Sequence, residues 1–319
     1  MSAESAKPEL SVVIPVYNSE ATLPALIAEL APELARIARG FEIILVNDGS
    51  RDGSWTIVER LEREHAFVRG IDLMRNYGQH NALLAGIRAA RYDVIVTMDD
   101  DLQHPPKEIA RLLQKLDEGF DVVYGAPSTE QHGFLRNLAS RITKFVLSRG
   151  MGAVARQVSA FRAFRTPLRD AFADNRGSFV SIDVLLTWGT SRFSAVTVEH
   201  HARRAGQSNY TVGKLITHAL NMLTGFTTLP LQFASMLGFA LTALGFLILV
   251  YVVGRWLWIG GSVPGFPFLA STIAIFSGAQ MFALGLIGEY IARIHFRLMD
   301  RPAYAVRRAS ARAKDGSPS

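Results

Sequence analysis

Short apolar runs alternate with amphipathic stretches through the first half of the chain. The apolar runs, rich in Val, Ile and Leu, predict buried strands at residues 10–16, 41–46, 67–73, 94–98 and 120–124. The stretches between them predict helices at about residues 21–37, 53–64 and 80–90, and a further helix that opens at residues 105–106. Apolar strands separated by helices are typical of a parallel sheet covered on both faces, whose ligands bind beyond the carboxyl ends of the strands.

The pattern changes after this region. Residues 134–149 carry apolar side chains on one helical face and arginine or lysine on the remainder. Such a helix packs on its own domain or lies in a membrane interface, and its basic residues favour the interface. Strands return at residues 158–164 and 194–199, and a second amphipathic stretch follows at 212–226.

Two long apolar runs dominate the C-terminal third. Residues 231–253 contain no charge and are long enough to cross a hydrocarbon core of about 30 Å. Residues 266–290 form a second run, in which Glu289 is the only charge. Two buried helices of a soluble core are the alternative. Trp256 and Trp258, in the short connection at residues 254–265, are placed like interfacial anchors and favour a transmembrane hairpin.

Charge sets the expected orientation of that hairpin. The segment after the second run is rich in arginine, whereas the connecting loop carries only Arg255. The positive-inside rule therefore predicts that the tail, and with it the N-terminal domain, lies in the cytoplasm. The N-terminus shows no apolar signal segment, so we expect a multi-pass protein of the inner (cytoplasmic) membrane with both termini cytoplasmic. The predicted parts are a domain at 1–205, a juxtamembrane segment at 206–228, the membrane helices within 229–292 and a basic tail at 293–319.

The charge and the residue composition limit the kinds of binding partner that we expect. The net charge of +6 is compatible with nucleic acid or with anionic lipid, and the apolar runs favour the lipid bilayer, so no nucleic-acid partner is expected. The chain has no cysteine, which excludes disulfides and thiolate metal sites.

Polar and acidic side chains follow three of the predicted strands. These are Tyr17 and Asn18, then Asp48 in an Asn-Asp-Gly-Ser turn, then the cluster Asp99–Asp100–Asp101. Turn and helix-cap chemistry explains any one of these loops. Three adjacent carboxylates repel one another unless a cation or strong donors compensate them, and Mg²⁺ and Mn²⁺ prefer oxygen ligands. Residues two apart face the same way, so Asp99 and Asp101 are expected to share one site while Asp100 points elsewhere.

Several motifs carry a family resemblance: IPVYN at 14–18, NDGS at 47–50, RNYGQH at 75–80, DDDLQHPP at 99–106, RRAGQSNY at 203–210 and LIGEYIARI at 286–294. Together they resemble family 2 glycosyltransferases of the polyprenyl-phosphate branch, which includes dolichyl-phosphate mannose synthases and undecaprenyl-phosphate glucosyl- and formamido-arabinose transferases. The resemblance implies a GT-A fold, a Rossmann-like, mostly parallel α/β domain, with interfacial helices and a C-terminal transmembrane hairpin. It also implies inverting transfer of a sugar from a nucleotide diphosphate, expected to be UDP, to polyprenyl (undecaprenyl) phosphate at the cytoplasmic face. Family precedent allows a homotetramer.

The resemblance also assigns roles to residues of this chain. Asp99, Asp101 and Arg203 are the implied catalytic residues, and Asp101, Gln103 and Asp99 are the implied ligands of Mg²⁺ or Mn²⁺. The implied nucleotide-sugar contacts are Pro15, Tyr17, Asn18, Asp48, Asn76, Gln79, Asp99 and Asp100. Arg203, with Ser208 and Tyr210, is expected to hold the lipid phosphate, because a guanidinium fork matches phosphate oxygens.

Two departures from the family pattern bear on mechanism. Arg156 occupies the place of an Asp that is often assigned as a base, and Asn209 replaces a usual Lys. A phosphate monoester is already mostly anionic at neutral pH, so its attack hardly needs a base. Arg156 or Arg162 is then expected to attract that anion.

Two other functions are kept as alternatives. A processive polysaccharide synthase would need a Gln-x-x-Arg-Trp motif and more membrane spans, and neither is visible. A membrane-tethered, non-catalytic nucleotide-sugar binder or assembly subunit is suggested by the missing Asp near Arg156.

Overall fold

The computed structural model describes residues 7–127, 151–175, 180–201, 228–259, 265–299 and 301–309. The chain divides into two compact units. The first comprises Met1–Val212 together with Asp300–Ser319, and the second comprises Gly213–Met299.

The first unit is an α/β domain built on an eight-stranded sheet among the described residues. Its strands are β1 (Glu9–Val16), β2 (Gly40–Asn47), β3 (Val68–Leu73), β4 (Val94–Thr97), β5 (Val122–Pro127), β6 (Arg162–Arg165), β7 (Phe193–Val198) and β8 (Val306–Ala309). Its helices are α1 (Leu23–Ile37), α2 (Ser54–Glu64), α3 (Gln79–Ala89), α4 (Ile109–Asp117) and α5 (Ile182–Gly189). Short 3₁₀ turns lie at Pro106–Glu108, Gly152–Gln157 and Thr166–Phe172.

The strand order across the sheet is β7-β5-β6-β4-β1-β2-β3-β8. β1, β2, β3 and β4 run parallel, so their carboxyl ends meet at one edge. β6 runs antiparallel to both β4 and β5, and β8 runs antiparallel to β3. The first strand tolerates Pro15 because its pairing with β4 ends at Val13 and Thr97, before the missing N–H would be needed.

The structure confirms the predicted fold class. All seven strands predicted from apolar runs form, with bounds that move by a few residues. The largest shift is in the predicted strand 158–164, whose first residues form a loop held by the Ser159 hydroxyl, which bonds to the backbone at Gly125 and Phe161. Helix α5 and strand β8 were not predicted. The amphipathic stretches at 134–149 and 212–226 lie outside the described residues.

The second unit contains two long apolar helices, α6 (Leu229–Ile259) and α7 (Phe266–Leu298). Their most apolar windows lie within Leu229–Trp258 and Ile275–Ala292, and neither window is buried within the protein. The helices touch where Gly245 leaves room for the Phe276 ring: a methyl group at position 245 would lie 2.9 Å from its Cζ. Both helices are therefore long and apolar enough to cross a bilayer, with apolar side chains exposed along their length.

Candidate active site

Four loops leave the sheet at the edge where β1 to β4 end. We name them loop 1 (residues 17–22), loop 2 (48–53), loop 3 (74–78) and loop 4 (98–105). Most of the side chains that the sequence singled out in residues 15–103 lie in these loops or at the first residue of α3. Pro15 is the exception, since it is buried within β1.

Loops 1 and 2 are joined through Asn18. Its backbone N–H donates to the Ser50 hydroxyl at 3.1 Å, and its side-chain oxygen accepts the N–H of Arg51 at 2.8 Å. Asn18 has a φ of 55°, a left-handed conformation that asparagine tolerates better than most residues. The neighbouring Tyr17 side chain is exposed at this edge. The turn at Asn18 therefore holds loop 1 against loop 2 and leaves the Tyr17 ring accessible.

Asp48 joins loops 2 and 3. Its two carboxylate oxygens accept the backbone N–H groups of Tyr77 at 2.6 Å and Gly78 at 2.8 Å. Burial raises the pKa of Asp48, and the two N–H donors partly oppose that rise. Asp48 thus organises the loop that contains Asn76, whose side chain is exposed. The Asp48 carboxylate therefore fixes the conformation of loop 3 by accepting hydrogen bonds from its backbone N–H groups.

Asp100 joins loops 1 and 4. Its carboxylate accepts hydrogen bonds from the Ser19 hydroxyl and, at 3.4 Å, from the backbone N–H of Tyr17. Burial raises the pKa of Asp100, and the Ser19 hydroxyl is the main opposing influence. This carboxylate faces loop 1, whereas Asp99 faces α3. Asp100 and Asp99 therefore contact different elements, and a site shared by Asp99 and Asp101 stays a prediction.

Asp99 and Asp101 occupy the two ends of this cluster. Asp99 Oδ1 accepts a hydrogen bond from Gln79 Nε2 at 2.6 Å, and Asp101 Oδ1 accepts the backbone N–H of Gln103 at 3.1 Å. No group of three or more His, Cys, Asp or Glu side chains in the described residues is arranged to hold a metal by itself. The implied set of two carboxylates and the Gln103 amide is an all-oxygen set. It fits a hard cation that takes its remaining ligands from substrate phosphate and water.

His104 is a buried residue of loop 4 to which the sequence analysis assigned no role. Its ring stacks on Phe161 with a centroid distance of 5.0 Å and lies 4.9 Å from the ring of His200. Burial, together with the neighbouring His200, lowers the pKa of His104 to about 4, which leaves the ring neutral at pH 7. The segment that follows β7 also contacts loop 4, because the His201 N–H donates to the Gln103 carbonyl at 2.8 Å. The only feature of the sequence that could have drawn attention to His104 is its position directly after Gln103, an implied metal ligand.

Arg162 differs from its predicted role. It was expected to attract the lipid phosphate, but its side chain is 2% exposed and pairs with the buried carboxylate of Asp183 on α5. The Tyr124 hydroxyl donates to the same carboxylate at 3.0 Å. A guanidinium that is buried and neutralised in this way is not presented to a substrate in solvent. The sequence offered no signal for this cluster, because α5 was not predicted.

The rest of the predicted phosphate site is not described. Arg203, Ser208 and Tyr210 lie outside the described residues, and of Arg156 only the backbone is described, within the 3₁₀ turn Gly152–Gln157. Their roles stay predictions from the sequence.

Comparisons with known proteins agree on one family. The model of glycosyl transferase family 2 matches residues 11–172. The undecaprenyl-phosphate 4-deoxy-4-formamido-L-arabinose transferase of Yersinia pestis (strain Pestoides F) is 36% identical, over 94% of this chain and 93% of the relative. The enzyme of the same name from Shewanella sediminis (strain HAW-EB3) is 38% identical, over 93% and 91%. Among solved structures, mannosyl-3-phosphoglycerate synthase from Rubrobacter xylanophilus matches 67% of this chain and 72% of its own with a TM-score of 0.51. At 16% sequence identity, this match shows that the two proteins have a similar fold and nothing more.

Proposed function

Because the chain belongs to glycosyltransferase family 2, we propose that it transfers a sugar from a nucleotide diphosphate sugar to a polyprenyl phosphate at a membrane surface. The observation that carries the proposal is the joining of loops 1, 2, 3 and 4 around the Asp99–Asp101 cluster. It is joined by the sequence match to relatives named undecaprenyl-phosphate 4-deoxy-4-formamido-L-arabinose transferase, which cover 94% and 93% of this chain.

The donor nucleotide is assigned to the face made by loops 1, 2 and 3. The exposed ring of Tyr17 offers a stacking surface for a base, and loop 2 adds hydroxyl and carboxylate groups suited to a ribose. Asp48 and Asp100 act here by holding the loops in place, since both accept hydrogen bonds from neighbouring loops. Preorganised loops reduce the entropy lost on binding, which supports a donor site at this edge. UDP is the donor nucleotide that we propose.

A divalent cation, Mg²⁺ or Mn²⁺, is proposed between Asp101, Gln103 and Asp99. When bound, such a cation neutralises the charge that develops on the diphosphate leaving group. The protein's own contribution is to hold the two carboxylates: Gln79 orients Asp99, and the Gln103 backbone orients Asp101. The fixed carboxylates define where the diphosphate end of the donor lies, and therefore where the anomeric carbon is presented.

The acceptor phosphate is assigned to the basic residues Arg203 and Arg156, with Ser208 and Tyr210 beside Arg203. A phosphate oxygen forms a bond to the anomeric carbon as the bond from that carbon to the diphosphate oxygen breaks, and the electron pair leaves with the diphosphate. One in-line displacement inverts the anomeric centre. The phosphate monoester has a second pKa near 6 and attacks as the anion, so Arg156 in place of a base is compatible with turnover.

The proposed location is the inner membrane, with α6 and α7 as a hairpin and the N-terminal domain in the cytoplasm. The chain returns after α7 to the same compact unit that contains β1 to β7, because β8 pairs with β3. An even number of crossings brings the chain back to its starting side, so the domain and the tail share one side of the membrane. The arginine-rich segment after α7 supports the cytoplasmic side. A homotetramer is proposed from the family resemblance alone.

The decisive experiment measures UDP release from a panel of UDP-sugars by purified full-length protein with Mn²⁺, with and without undecaprenyl phosphate. Release that depends on undecaprenyl phosphate, and that Asp101→Ala abolishes, supports the proposal. Asp117→Ala is the matched control, because Asp117 is an exposed carboxylate at the end of α4. Nucleotide binding without release across the panel would instead favour a non-catalytic binding subunit.

A further inference from the structure

The tail strand β8 lies at the edge of the sheet, where loop 3 begins. It pairs antiparallel with β3, and the register shifts between Asp72 and Leu73. The backbone N–H of Met74, the first residue of loop 3, donates to the Ala305 carbonyl at 2.9 Å. Contact between the tail and the sheet therefore continues past the end of β3 and restrains the start of loop 3.

The side chain of Arg307 adds two contacts at this point. Its Nη2 atom donates to the Met74 carbonyl at 2.9 Å, and its Nη1 atom lies 3.6 Å from Oδ2 of Asp72. The Arg307 side chain is 61% exposed and the Asp72 side chain only 5%, so the guanidinium reaches inward from solvent to a buried carboxylate. A buried carboxylate is costly without donors or a counter-charge, and Arg307 supplies a positive charge to one of its oxygens.

Asp72 carries this restraint to loop 2. Its other oxygen, Oδ1, accepts a hydrogen bond from Asn47 Nδ2 at 2.7 Å, and both side chains are buried. The Asn47 side-chain oxygen in turn accepts the N–H of Ser50 at 3.3 Å, within the Asn-Asp-Gly-Ser turn. A polar path therefore runs from Arg307 through Asp72 and Asn47 into loop 2.

The two routes converge at Asp48. The route through Met74 leads along loop 3 to Tyr77 and Gly78, whose backbone N–H groups donate hydrogen bonds to Asp48. The route through Asp72 leads along loop 2 to Asp48 itself. The tail strand thus restrains both partners of the contact that joins loops 2 and 3.

We propose that Arg307 is a positioning residue for the nucleotide-sugar site and that it acts through Asp72 and Met74. The inference rests on the proposed function, because it takes loops 2 and 3 as the nucleotide-binding loops. Arg307 orders those loops from outside the site, in the segment that follows α7. Its loss therefore weakens nucleotide binding more than it slows the transfer step.

Arg308 provides a matched control on the same strand. Its side chain is 65% exposed, similar to Arg307, and pairs with Glu59 on α2. Arg308→Ala removes one positive charge from β8 and leaves the contacts of Asp72 and Met74 intact.

The experiment uses full-length protein in detergent. It measures the Kd of UDP with Mn²⁺ by calorimetry, and amide hydrogen exchange in peptides that cover loops 2 and 3. For Arg307→Ala we expect a Kd about tenfold higher, faster exchange in both loops, and a KM for the UDP-sugar that changes more than kcat. Arg307→Lys keeps a cation near Asp72 and is expected to recover part of the affinity. Arg308→Ala is expected to stay within about twofold of wild type.

Wild-type Kd and wild-type exchange in Arg307→Ala would overturn the inference. An equal loss of UDP affinity in Arg308→Ala would also overturn it. The loss would then come from removing a positive charge from β8, and not from breaking the contacts through Asp72. If the wild-type protein binds no UDP, the proposed donor is wrong. Hydrogen exchange in loops 2 and 3 then still decides whether Arg307 restrains them.

Discussion

Gln79 donates a hydrogen bond of 2.6 Å from its side-chain amide to the Asp99 carboxylate. This contact ties the first residue of α3 to the loop that follows β4, at the acidic cluster of the proposed site. A neutral donor can orient a carboxylate and leave its charge available to a cation, which a salt bridge to lysine or arginine would cancel.

Gln79→Glu is expected to reduce kcat/KM by about tenfold or more, because a second carboxylate repels Asp99 and removes its donor. Steady-state UDP release measures the change. Gln114→Glu is the control, since Gln114 is an exposed glutamine on α4 and adds the same charge at a distance from loop 4. Equal activity of the two variants would count against a role for the Gln79–Asp99 contact.

Asp48→Asn is expected to lower stability by about 1–3 kcal/mol and to raise the KM for the UDP-sugar. Both oxygens of Asp48 accept backbone N–H groups, and an asparagine offers one oxygen and turns an N–H₂ group toward the second donor. Thermal unfolding and donor titration of the same preparation measure the two effects. An unchanged donor KM would show that loop 3 does not depend on Asp48 for its shape.

Gly49→Ala is expected to be more damaging than Gly78→Ala. Both glycines have positive φ, 64° and 92°, so alanine is strained at either position by about 1–3 kcal/mol. A methyl group at Gly49 would also lie 2.5 Å from the Asn76 backbone nitrogen, whereas at Gly78 it meets nothing within 4 Å. The difference in UDP affinity between the variants isolates the packing of loop 2 on loop 3. Equal affinities would mean that this close approach has no role in binding.

Arg162→Met is expected to destabilise the N-terminal domain by about 3–5 kcal/mol, because it leaves the Asp183 carboxylate buried without its cation. The double variant Arg162→Met/Asp183→Leu is expected to recover much of that loss, since it removes both charges together. Thermal denaturation measures both variants. If the single variant has wild-type stability but a raised KM for undecaprenyl phosphate, Arg162 binds the acceptor after all.

Chelation with EDTA is expected to abolish UDP release, and Mn²⁺ or Mg²⁺ to restore it, in wild type but not in Asp101→Ala. The physical reason is the uncompensated charge of the diphosphate leaving group when no cation is bound. The same activity assay, run across a metal titration, measures the recovery. Full activity in EDTA would contradict the metal assignment.

The sequence predicted those features that depend on short-range pattern. The strands β1 to β4 were predicted closely because each is a short stretch rich in Val, Ile or Leu, and the loops at their carboxyl ends followed from the parallel arrangement. Strand β8 was missed because Val306–Ala309 is short, carries two arginines and is exposed at all four positions. Its pairing with β3 depends on residues more than 200 positions away, such as Met74 and Arg307, which are separated by 233.

By itself, then, the sequence determined the alternation of strands and helices, the two apolar runs of membrane length and the acidic cluster after the strand at 94–98. Hydrophobic periodicity and backbone geometry act over neighbouring residues, and they can be read without knowledge of distant partners. Only the tertiary structure decided that Asp48 and Asp100 accept hydrogen bonds from neighbouring loops and so hold those loops together. It also decided that Arg162 is buried and that Arg307 reaches Asp72. Both facts depend on contacts between residues that are far apart in the sequence, and a local sequence pattern does not predict such contacts.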